Sequence, residues 1–315
     1  MPAAMPSSSP REIDPLALRH ILRRLQRAPG PPWLHDEVAS RLAERLAVVR
    51  LRPAVVLDWG AALGASAGRL RQVYPAAAIT AVESEAAAAP AAAPAASGPL
   101  RWLQRFRPAA PRPLAAAEVP AGAAQLVWSN MLLQRVADPP PLMAGWLRAL
   151  AVDGFLMFST LGPGTLDDLR EVYRDAGWGP PMAEFVDMHD LGDMLVHAGF
   201  ADPVMDQEVL TLHWADADAA LAELRALGGN AHPARLAGLR TPRWRDRLRA
   251  ALAARADAAG RIALRFEVVY GHAVKPPPRP AVAPSTAVSL DDMRAMVRRP
   301  RGGTQGSSGG AEGLG

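Results

Sequence analysis

The chain has 315 residues, enough for one large domain or for one domain with additions, and half of them are apolar. It contains no cysteine, which excludes disulfides, thiolate metal sites and cysteine nucleophiles. The start of the sequence has no apolar h-region, no apolar run reaches the roughly 18 residues of a membrane helix, and the net charge is only +4. We therefore expect a cytoplasmic protein that neither spans a membrane nor binds nucleic acid.

The chain opens with a short polar segment and two predicted helices. Apolar residues recur at helical spacing over residues 18–25 and again over 38–46, with a Pro-Pro break at 31–32. Residues 1–50 are therefore predicted to be an N-terminal helical region.

From residue 51 onward, short apolar runs alternate with helical segments. Four of these runs predict buried strands, over residues 55–58, 78–83, 125–130 and 154–161. The alternation predicts a parallel sheet with helices on both faces. Two further runs, over residues 203–214 and 263–274, have too little helix between them for another crossover, which predicts a terminal antiparallel pair. The expected fold is thus α/β, Rossmann-like and doubly wound.

Composition divides the rest of the chain. Residues 85–98 are rich in Ala and Pro and are predicted to be a linker. Residues 276–315 are rich in Pro and then in Gly and Ser, and are predicted to be a mostly disordered tail with one helix over 289–299. The α/β domain is accordingly placed at residues 51–275, with an Arg-rich helical insertion at about 216–260.

An acid and two glycines follow the first predicted strand. In a doubly wound sheet, ligands bind at the carboxyl ends of the strands, where glycines permit close approach and an acid at the end of the second strand accepts bonds from ribose hydroxyls. The first predicted strand ends in Asp58 and is followed by Gly60 and Gly64, and the second predicted strand ends in Glu83. This spacing predicts a nucleoside cofactor site. The structural alternatives are that Asp58 caps the following turn and that the glycines serve the turn alone.

Four segments together resemble a known family. They are SNMLLQ, FLMFSTLGPGTLDDLR, FVDMHDLGDMLVHAGFADPVMDQEVLTL and FEVVYGHAV. They resemble the malonyl-acyl-carrier-protein O-methyltransferases of biotin synthesis, over a match from about Val55 to Val274. Two parts of these segments, the turn GPGTLDDLR and the helix DLGDMLVHAGF, also resemble methyltransferase-like assembly factors of respiratory complex I. The resemblance implies a class I S-adenosylmethionine-dependent methyltransferase fold, with a seven-stranded sheet that contains one antiparallel strand at its end.

The donor-binding residues follow from the family loop, DxGxGxG. Asp58, Gly60 and Gly64 match its acid and its first and third glycines, whereas Ala62 replaces the middle glycine and is expected to obstruct or shift the methionine part of the donor. The residues that the resemblance assigns to S-adenosylmethionine are Asp58, Gly60, Ala62, Gly64, Glu83 and Asn130. For Asn130, a role in satisfying backbone groups at the strand end is equally open.

Other positions depart from the family pattern. Ala116 stands where an acid usually faces adenine, Gln125 stands where Asp usually begins the fourth strand, and Arg135 replaces the Trp that usually follows Gln134. Gly162, Gly164 and Thr165 are predicted to form a turn and cap the next helix.

The chemistry that the resemblance implies is methyl transfer to the free carboxylate of a malonyl thioester. A carboxylate with a pKa of about 4 is ionised at pH 7, so no general base and no catalytic acid–base residue is expected. Gln134 and Arg135 are the candidate substrate residues, because a guanidinium binds a carboxylate through two parallel hydrogen bonds. His189 and His213 have no paired acid, and no metal site is predicted.

Arginine is concentrated late in the domain. Residues 235–265 contain nine Arg against Asp246 and Asp257, a local excess of +7. A helix over Thr241–Asp257, with Arg243, Arg245, Arg247 and Arg249, is expected to present part of this charge. It is a solvated face or a docking surface for an acidic partner, for which the resemblance suggests acyl carrier protein; nucleic acid is the least favoured partner, because no aromatic interleaving or known module supports it.

Three functions remain open from the sequence. The first is a methyltransferase acting on malonyl-acyl-carrier protein. The second is a degenerate methyltransferase fold that acts as a non-catalytic binding or assembly protein, which Ala62, Ala116 and Arg135 favour. The third is another enzyme on the same scaffold, either a methyltransferase with another acceptor or an enzyme with a different reaction. Fold alone does not separate them.

Overall fold

The computed structural model describes residues 11–84, 112–236 and 238–278. The predictions made for the linker at 85–98 and for the helix at 289–299 lie outside the described residues, and so does most of the predicted tail. Within the described ranges, no helix is long and apolar enough to cross a membrane.

The first two helices lie where apolar spacing predicted helical segments, over residues 18–25 and 38–46. Nine α-helices lie within the described residues: α1 Pro15–Gln26, α2 Trp33–Arg45, α3 Ala61–Gly64, α4 Ala67–Val73, α5 Pro139–Ala149, α6 Asp167–Asp175, α7 Met188–Ala198, α8 Ala217–Leu227 and α9 Pro242–Ala253. Local signals set several ends: Asp14 and Thr241 accept backbone N–H bonds at the starts of α1 and α9. Gly199, with φ 101°, ends α7 in the left-handed conformation.

One seven-stranded sheet organises the domain. Its strands are β1 Val55–Trp59, β2 Ala78–Glu83, β3 Leu114–Ala115, β4 Ala124–Ser129, β5 Leu150–Leu161, β6 Ala201–Trp214 and β7 Ile262–Val274. They lie in the order β3-β2-β1-β4-β5-β7-β6. β1 to β5 are parallel, and β7 is antiparallel to both β5 and β6. This confirms the predicted doubly wound α/β sheet and its terminal antiparallel pair.

The sequence prediction missed one strand. Residues 125–130 are the third apolar run but form the fourth strand, as the family pattern implies at Gln125, since β3 precedes them. β3 has two residues, Leu114 and Ala115, which pair with Val82 and Glu83. A strand of two residues is too short to produce a periodic pattern, and only the sheet next to it stabilises its extended backbone.

Alternating residues of the sheet enter two apolar cores. Leu126 and Trp128 of β4 belong to the core that also contains residues of α2, α4, α8 and α9, while Val127 between them belongs to the core that contains residues of α5 and α7. A smaller cluster joins Ile21 and Leu25 of α1 to Leu63 and Ala231. Both faces of the parallel strands are therefore covered, which leaves the carboxyl ends of β1, β2 and β4 as the edge where side chains of different strands meet.

The turn between β5 and α6 is held by Glu267 of β7. The backbone N–H of Gly164 donates to Glu267 Oε2 at 3.1 Å, and Thr165 Oγ1 donates to the Glu267 carbonyl at 3.0 Å. The prediction that this turn caps the next helix is wrong for Thr165, because α6 begins after Leu166 without a side-chain cap. The Thr165 hydroxyl is instead buried against β7.

Candidate active site

The turn after β1 adopts the conformation that its glycine predicts. Gly60 has φ +80°, the left-handed region, and a Cβ there would lie 3.2 Å from the side chain of Leu132. The chain then enters α3, and the Gly60 N–H donates to the Val82 carbonyl at 2.8 Å. This turn, residues 60–65, is named the donor loop after the ligand that the resemblance predicts for it, and it is bonded to the end of β2.

Asp58 is a buried carboxylate that accepts no hydrogen bond within the described part of the chain. Its side chain lies on β1 with 1% of its surface exposed, and neither oxygen accepts a hydrogen bond from a described residue. Burial, with a smaller contribution from the Glu83 charge, raises the pKa of Asp58 to about 7. The side chain of Asp58 therefore does not cap the turn that follows β1, which was the structural alternative.

Glu83 closes the donor loop from the second strand. Its Oε1 accepts a hydrogen bond from the backbone N–H of Ala62 at 2.6 Å. Burial raises the pKa of Glu83, while the Ala62 bond and the positive charge of Arg135 oppose that rise. Ala62 itself is exposed at the start of α3. The expected obstruction of the donor by its methyl group stays a prediction.

Asn130, directly after β4, is buried and fully bonded. Its Nδ2 donates to the carbonyls of His35 at 2.8 Å and Gly64 at 2.6 Å, and its Oδ1 accepts from Ser159 Oγ at 2.6 Å. Asn130 thus ties α2, the donor loop and β5 together. This is the backbone-satisfying role of the two predicted, and a contact with a donor stays a prediction.

His35 is a site residue that the sequence reasoning missed. It lies on the buried face of α2 with 2% exposure, and its Nδ1 is 2.6 Å from the Leu63 carbonyl, which places the proton on Nδ1. Burial, and then the Arg135 charge, lowers the pKa of His35 to about 3, so the ring is neutral. The only sequence signal was a polar residue on an otherwise apolar helix face.

Gln134 and Arg135 lie in a short 3₁₀ turn, Leu133–Arg135, after β4. Both side chains bend back to the Met131 carbonyl, which accepts from Gln134 Nε2 at 2.7 Å and from Arg135 Nη2 at 2.6 Å. The other two guanidinium nitrogens of Arg135, Nε and Nη1, are buried and have no described partner. Burial lowers the pKa of Arg135 to about 10, so it remains a cation at neutral pH.

A cavity of about 780 Å³ adjoins these residues. Most of its wall is apolar and comes from α1, α2, α6, α8 and α9. The buried His35 and Met131 belong to its inner wall together with Gln134 and Arg135, whereas Asp218 and Arg245 are more than half exposed and lie at its mouth. The cavity is not lined by Asp58, Glu83 or the turn at Gly60. Arg135 does line it and is also attracted by the charge of Glu83, so this residue links two separate parts of the site.

The arginine-rich helix is less free than the sequence suggested. Arg249 pairs with Asp218 at 2.6 Å and with Asp246 at 3.0 Å, and Arg245 lies 3.4 Å from Asp218. Of the four arginines that the sequence places on this helix, Arg245 and Arg249 are thus ion-paired. Asp218 belongs to another helix, and such a long-range pairing is invisible in the local sequence.

The described residues contain no group of three or more His, Asp or Glu side chains that could hold a metal ion. His189 is exposed at the start of α7. His213 lies on the edge strand β6.

Comparisons with known proteins place the chain in a family. A family model described as a methyltransferase domain matches residues 33–202. A malonyl-[acyl-carrier protein] O-methyltransferase of Laribacter hongkongensis is 40% identical over 84% of this chain and 88% of its own. Proteins of the same name from Gallionella capsiferriformans and Halorhodospira halophila are 36% and 38% identical over 85% of this chain, and over 93% and 90% of their own. The chain belongs to the malonyl-[acyl-carrier protein] O-methyltransferase family, within the class I methyltransferase fold.

Proposed function

We propose that this protein transfers a methyl group from S-adenosylmethionine to the free carboxylate of malonyl-acyl-carrier protein, in biotin precursor synthesis. The observation that carries the proposal is the placement of Arg135. This buried cation is attracted by Glu83 of the donor loop region and lines an apolar cavity large enough for a small-molecule ligand. The names of the relatives supply the acceptor.

The donor loop region fits a cationic nucleoside. Both oxygens of Asp58 are buried and unpartnered among the described residues, which suits a ligand that brings ammonium or other N–H donors. Glu83 accepts one described hydrogen bond, through Oε1, which leaves Oε2 for ribose hydroxyls. Gly60 allows the backbone to approach. When bound, the donor supplies a methyl group on a cationic sulfur, and its transfer to a carboxylate leaves a methyl ester and a neutral thioether.

The acceptor side needs orientation more than proton transfer. A malonyl carboxylate is already ionised at neutral pH, so its oxygen is a nucleophile without a general base. His35, the buried imidazole in the cavity wall, has a pKa of about 3 and takes no proton at neutral pH. The apolar wall excludes water, and the chain holds the acceptor in place, which favours reaction through proximity.

The carrier protein is proposed to dock beside the cavity mouth, on α9. An aromatic cluster of Tyr173, Trp178 and Trp244, with ring centroids 5.3–6.1 Å apart, fixes α9 against α6. Trp244 also lines the cavity, so α9 borders the entrance. Arg243 is exposed and forms no ion pair with a described residue, and Arg247 lies 5.4 Å over the Trp178 ring. These two arginines, rather than Arg245 and Arg249, are the charges proposed to meet an acidic carrier protein.

Two acceptors test the proposal together. Purified protein is assayed for methyl transfer to malonyl-acyl-carrier protein and to malonyl-pantetheine, which lacks the protein part. We expect Arg243→Glu/Arg247→Glu to lower kcat/KM for the carrier-borne substrate about tenfold at low salt and to leave malonyl-pantetheine unchanged. The matched control is Arg50→Glu/Arg71→Glu, which reverses two exposed charges away from α9.

The possible outcomes distinguish the three functions and test the docking surface. Equal losses for both substrates would contradict docking through α9. Absence of transfer to either acceptor, with the donor bound, would point to another acceptor, and absence of donor binding would favour a non-catalytic binding or assembly protein.

A further inference from the structure

The segment before α1 bonds to three separate parts of the chain that line or flank the cavity. Arg11 donates to the backbone of the turn after β4 and of the segment before α7, and Asp14 pairs with the segment after α8. Ile13, between them, lines the cavity itself. Residues 11–14 are named the N-terminal clasp, because they join parts of the wall that are far apart in the sequence.

The guanidinium of Arg11 donates to backbone carbonyls. Its Nη2 donates to the Leu133 carbonyl at 2.6 Å and also to the Val136 carbonyl, and its Nη1 donates to the Glu184 carbonyl at 3.0 Å. The backbone N–H of Arg11 adds a bond to the Ala137 carbonyl at 2.9 Å. Burial lowers the pKa of Arg11 to about 10, so it remains a cation at neutral pH. Hydrogen bonds from a charged donor are stronger than those between neutral groups.

Two of these carbonyls belong to the turn that carries Arg135. The Leu133 carbonyl also accepts the Val136 N–H at 3.0 Å, which is a bond within the turn. A short 3₁₀ turn has poor internal geometry and gains little stability from its own hydrogen bonds. Arg11 lies at the carboxyl end of this turn, where a positive charge is favourable. The turn is therefore held in place from outside, by the clasp.

The same guanidinium joins this turn to the apolar wall before α7. Glu184, whose carbonyl accepts from Arg11, lies between Ala183 and Phe185, and both of these residues line the cavity. Arg11 itself is not among the lining residues. It therefore fixes the place of Arg135 relative to the opposite part of the wall without touching a ligand in the cavity. In a transfer reaction, a displacement of about 1 Å can lower the rate about 100-fold.

We propose that Arg11 is a positioning residue of the acceptor side: it holds the turn that carries Arg135 and thereby aligns the acceptor with the methyl group of the donor. The proposal rests on the proposed function and deepens it, because it adds a residue that acts through Arg135. It also gives the clasp a role in the reaction, beyond its contribution to the fold.

The other end of the clasp supplies a matched control. Asp14 Oδ2 lies 2.6 Å from Arg235 Nη1, and the Asp14 N–H donates to the Ala231 carbonyl at 2.8 Å. Arg235→Gln removes this ion pair and loosens the same segment, but it leaves the contacts of Arg11 with the turn intact. A general loosening of the clasp is thus separated from the loss of Arg11.

The test measures methyl transfer to malonyl-pantetheine by the wild type, Arg11→Met, Arg235→Gln, Arg135→Gln and the double variant Arg11→Met/Arg135→Gln. We expect Arg11→Met to lower kcat about 10- to 100-fold while KM changes less than about threefold, because alignment acts on the transition state. Arg235→Gln should keep kcat within about twofold of the wild type. Because Arg11 acts through Arg135, Arg11→Met should cost little further in the Arg135→Gln background. Arg11→Lys, which keeps the charge and part of the donor set, should restore part of kcat.

Hydrogen exchange of residues 131–137 gives a readout without turnover. The backbone of this turn should exchange faster in Arg11→Met than in the wild type, and as slowly in Arg235→Gln as in the wild type. If the wild type methylates no malonyl acceptor, the proposed function fails. The exchange rates then decide separately whether Arg11 holds the turn, and equal rates in all three proteins would contradict it.

Three kinetic results would overturn the proposal. They are an unchanged kcat in folded Arg11→Met, an equal loss of kcat in Arg235→Gln, and a full further loss when Arg11→Met is added to Arg135→Gln. Should Arg11→Met not fold, Arg11→Lys takes its place in every comparison. A partial loss of kcat in Arg11→Lys would then support the proposal, and a kcat equal to that of the wild type would contradict it.

Discussion

Glu83 Oε1 accepts the backbone N–H of Ala62 at 2.6 Å, so the acid at the end of β2 holds the turn that follows β1. The residue that departs from the family loop is thus bonded, through its backbone, to the acid expected to bind ribose. Because a backbone N–H is common to every residue except proline, alanine at this position keeps the bond and adds only a methyl group. The scaffold of the donor loop is therefore retained despite the substitution.

The methyl group of Ala62 gives the first prediction. Ala62→Gly keeps the bond to Glu83 and removes the side chain, so we expect S-adenosylmethionine to bind several-fold more tightly, at a cost of about 0.5–1 kcal/mol in the free energy of unfolding. Calorimetry and urea denaturation measure the two quantities. Ala61→Gly, one residue earlier in α3, is the control and should lower stability without a gain in affinity. Equal affinities for the wild type and Ala62→Gly would show that the methyl group does not obstruct the donor.

Asp58 gives a pH dependence of donor binding. Because the pKa of Asp58 is raised to about 7, the side chain is largely protonated below that pH and ionised above it. A cationic donor favours the ionised form, so its affinity should rise as the pH passes through 7 and then level off. Asp58→Asn should weaken binding roughly 10- to 100-fold and flatten this dependence. A wild-type affinity that is constant between pH 6 and 8 would contradict the assignment.

The same carboxylate affects stability without a ligand. Its pKa in the folded protein lies above the ordinary value of 3.8, so the folded state binds more protons than the unfolded chain between about pH 4 and 7. The free energy of unfolding contributed by Asp58 therefore falls as the pH rises through that window. Urea denaturation measures the free energy of unfolding of the wild type and of Asp58→Asn at pH 5 and pH 8. We expect the value of the variant, relative to that of the wild type, to be higher at pH 8 than at pH 5. A difference that is the same at both pH values would rule this out.

The sequence predicted the parts of the site that follow from strand ends. Asp58 and Glu83 each end an apolar run, and the parallel pairing of β1 with β2 brings both acids to one edge. Residues that depend on long-range contacts were not predictable in the same way. His35 reaches the donor loop from α2 through Leu63, and Arg249 is paired by Asp218 of α8. Neither contact has a local spacing that a single sequence reveals.

A further prediction concerns the turn before α6. Glu267 packs against Gly162 so closely that an added Cβ has no room, and the Gly162 N–H donates to the Glu267 carbonyl at 2.9 Å. Gly162→Ala should therefore lower the free energy of unfolding by about 1–3 kcal/mol. Gly68→Ala, in helix α4 with nothing within 4 Å of its Cβ, is the matched control and should raise it by about 0.5–1 kcal/mol. Chemical denaturation measures the free energy of unfolding of both variants. A Gly162→Ala variant as stable as the wild type would mean that Glu267 moves aside at no cost.

Mass spectrometry of malonyl-acyl-carrier protein, after incubation with the wild-type protein and S-adenosylmethionine, detects the proposed methyl transfer itself. We predict that the malonyl group gains one methyl group as an ester, and that Asp58→Asn, folded and at equal concentration, forms this product far more slowly. The contradicting result is a wild-type protein that binds S-adenosylmethionine and leaves the malonyl carboxylate unmethylated.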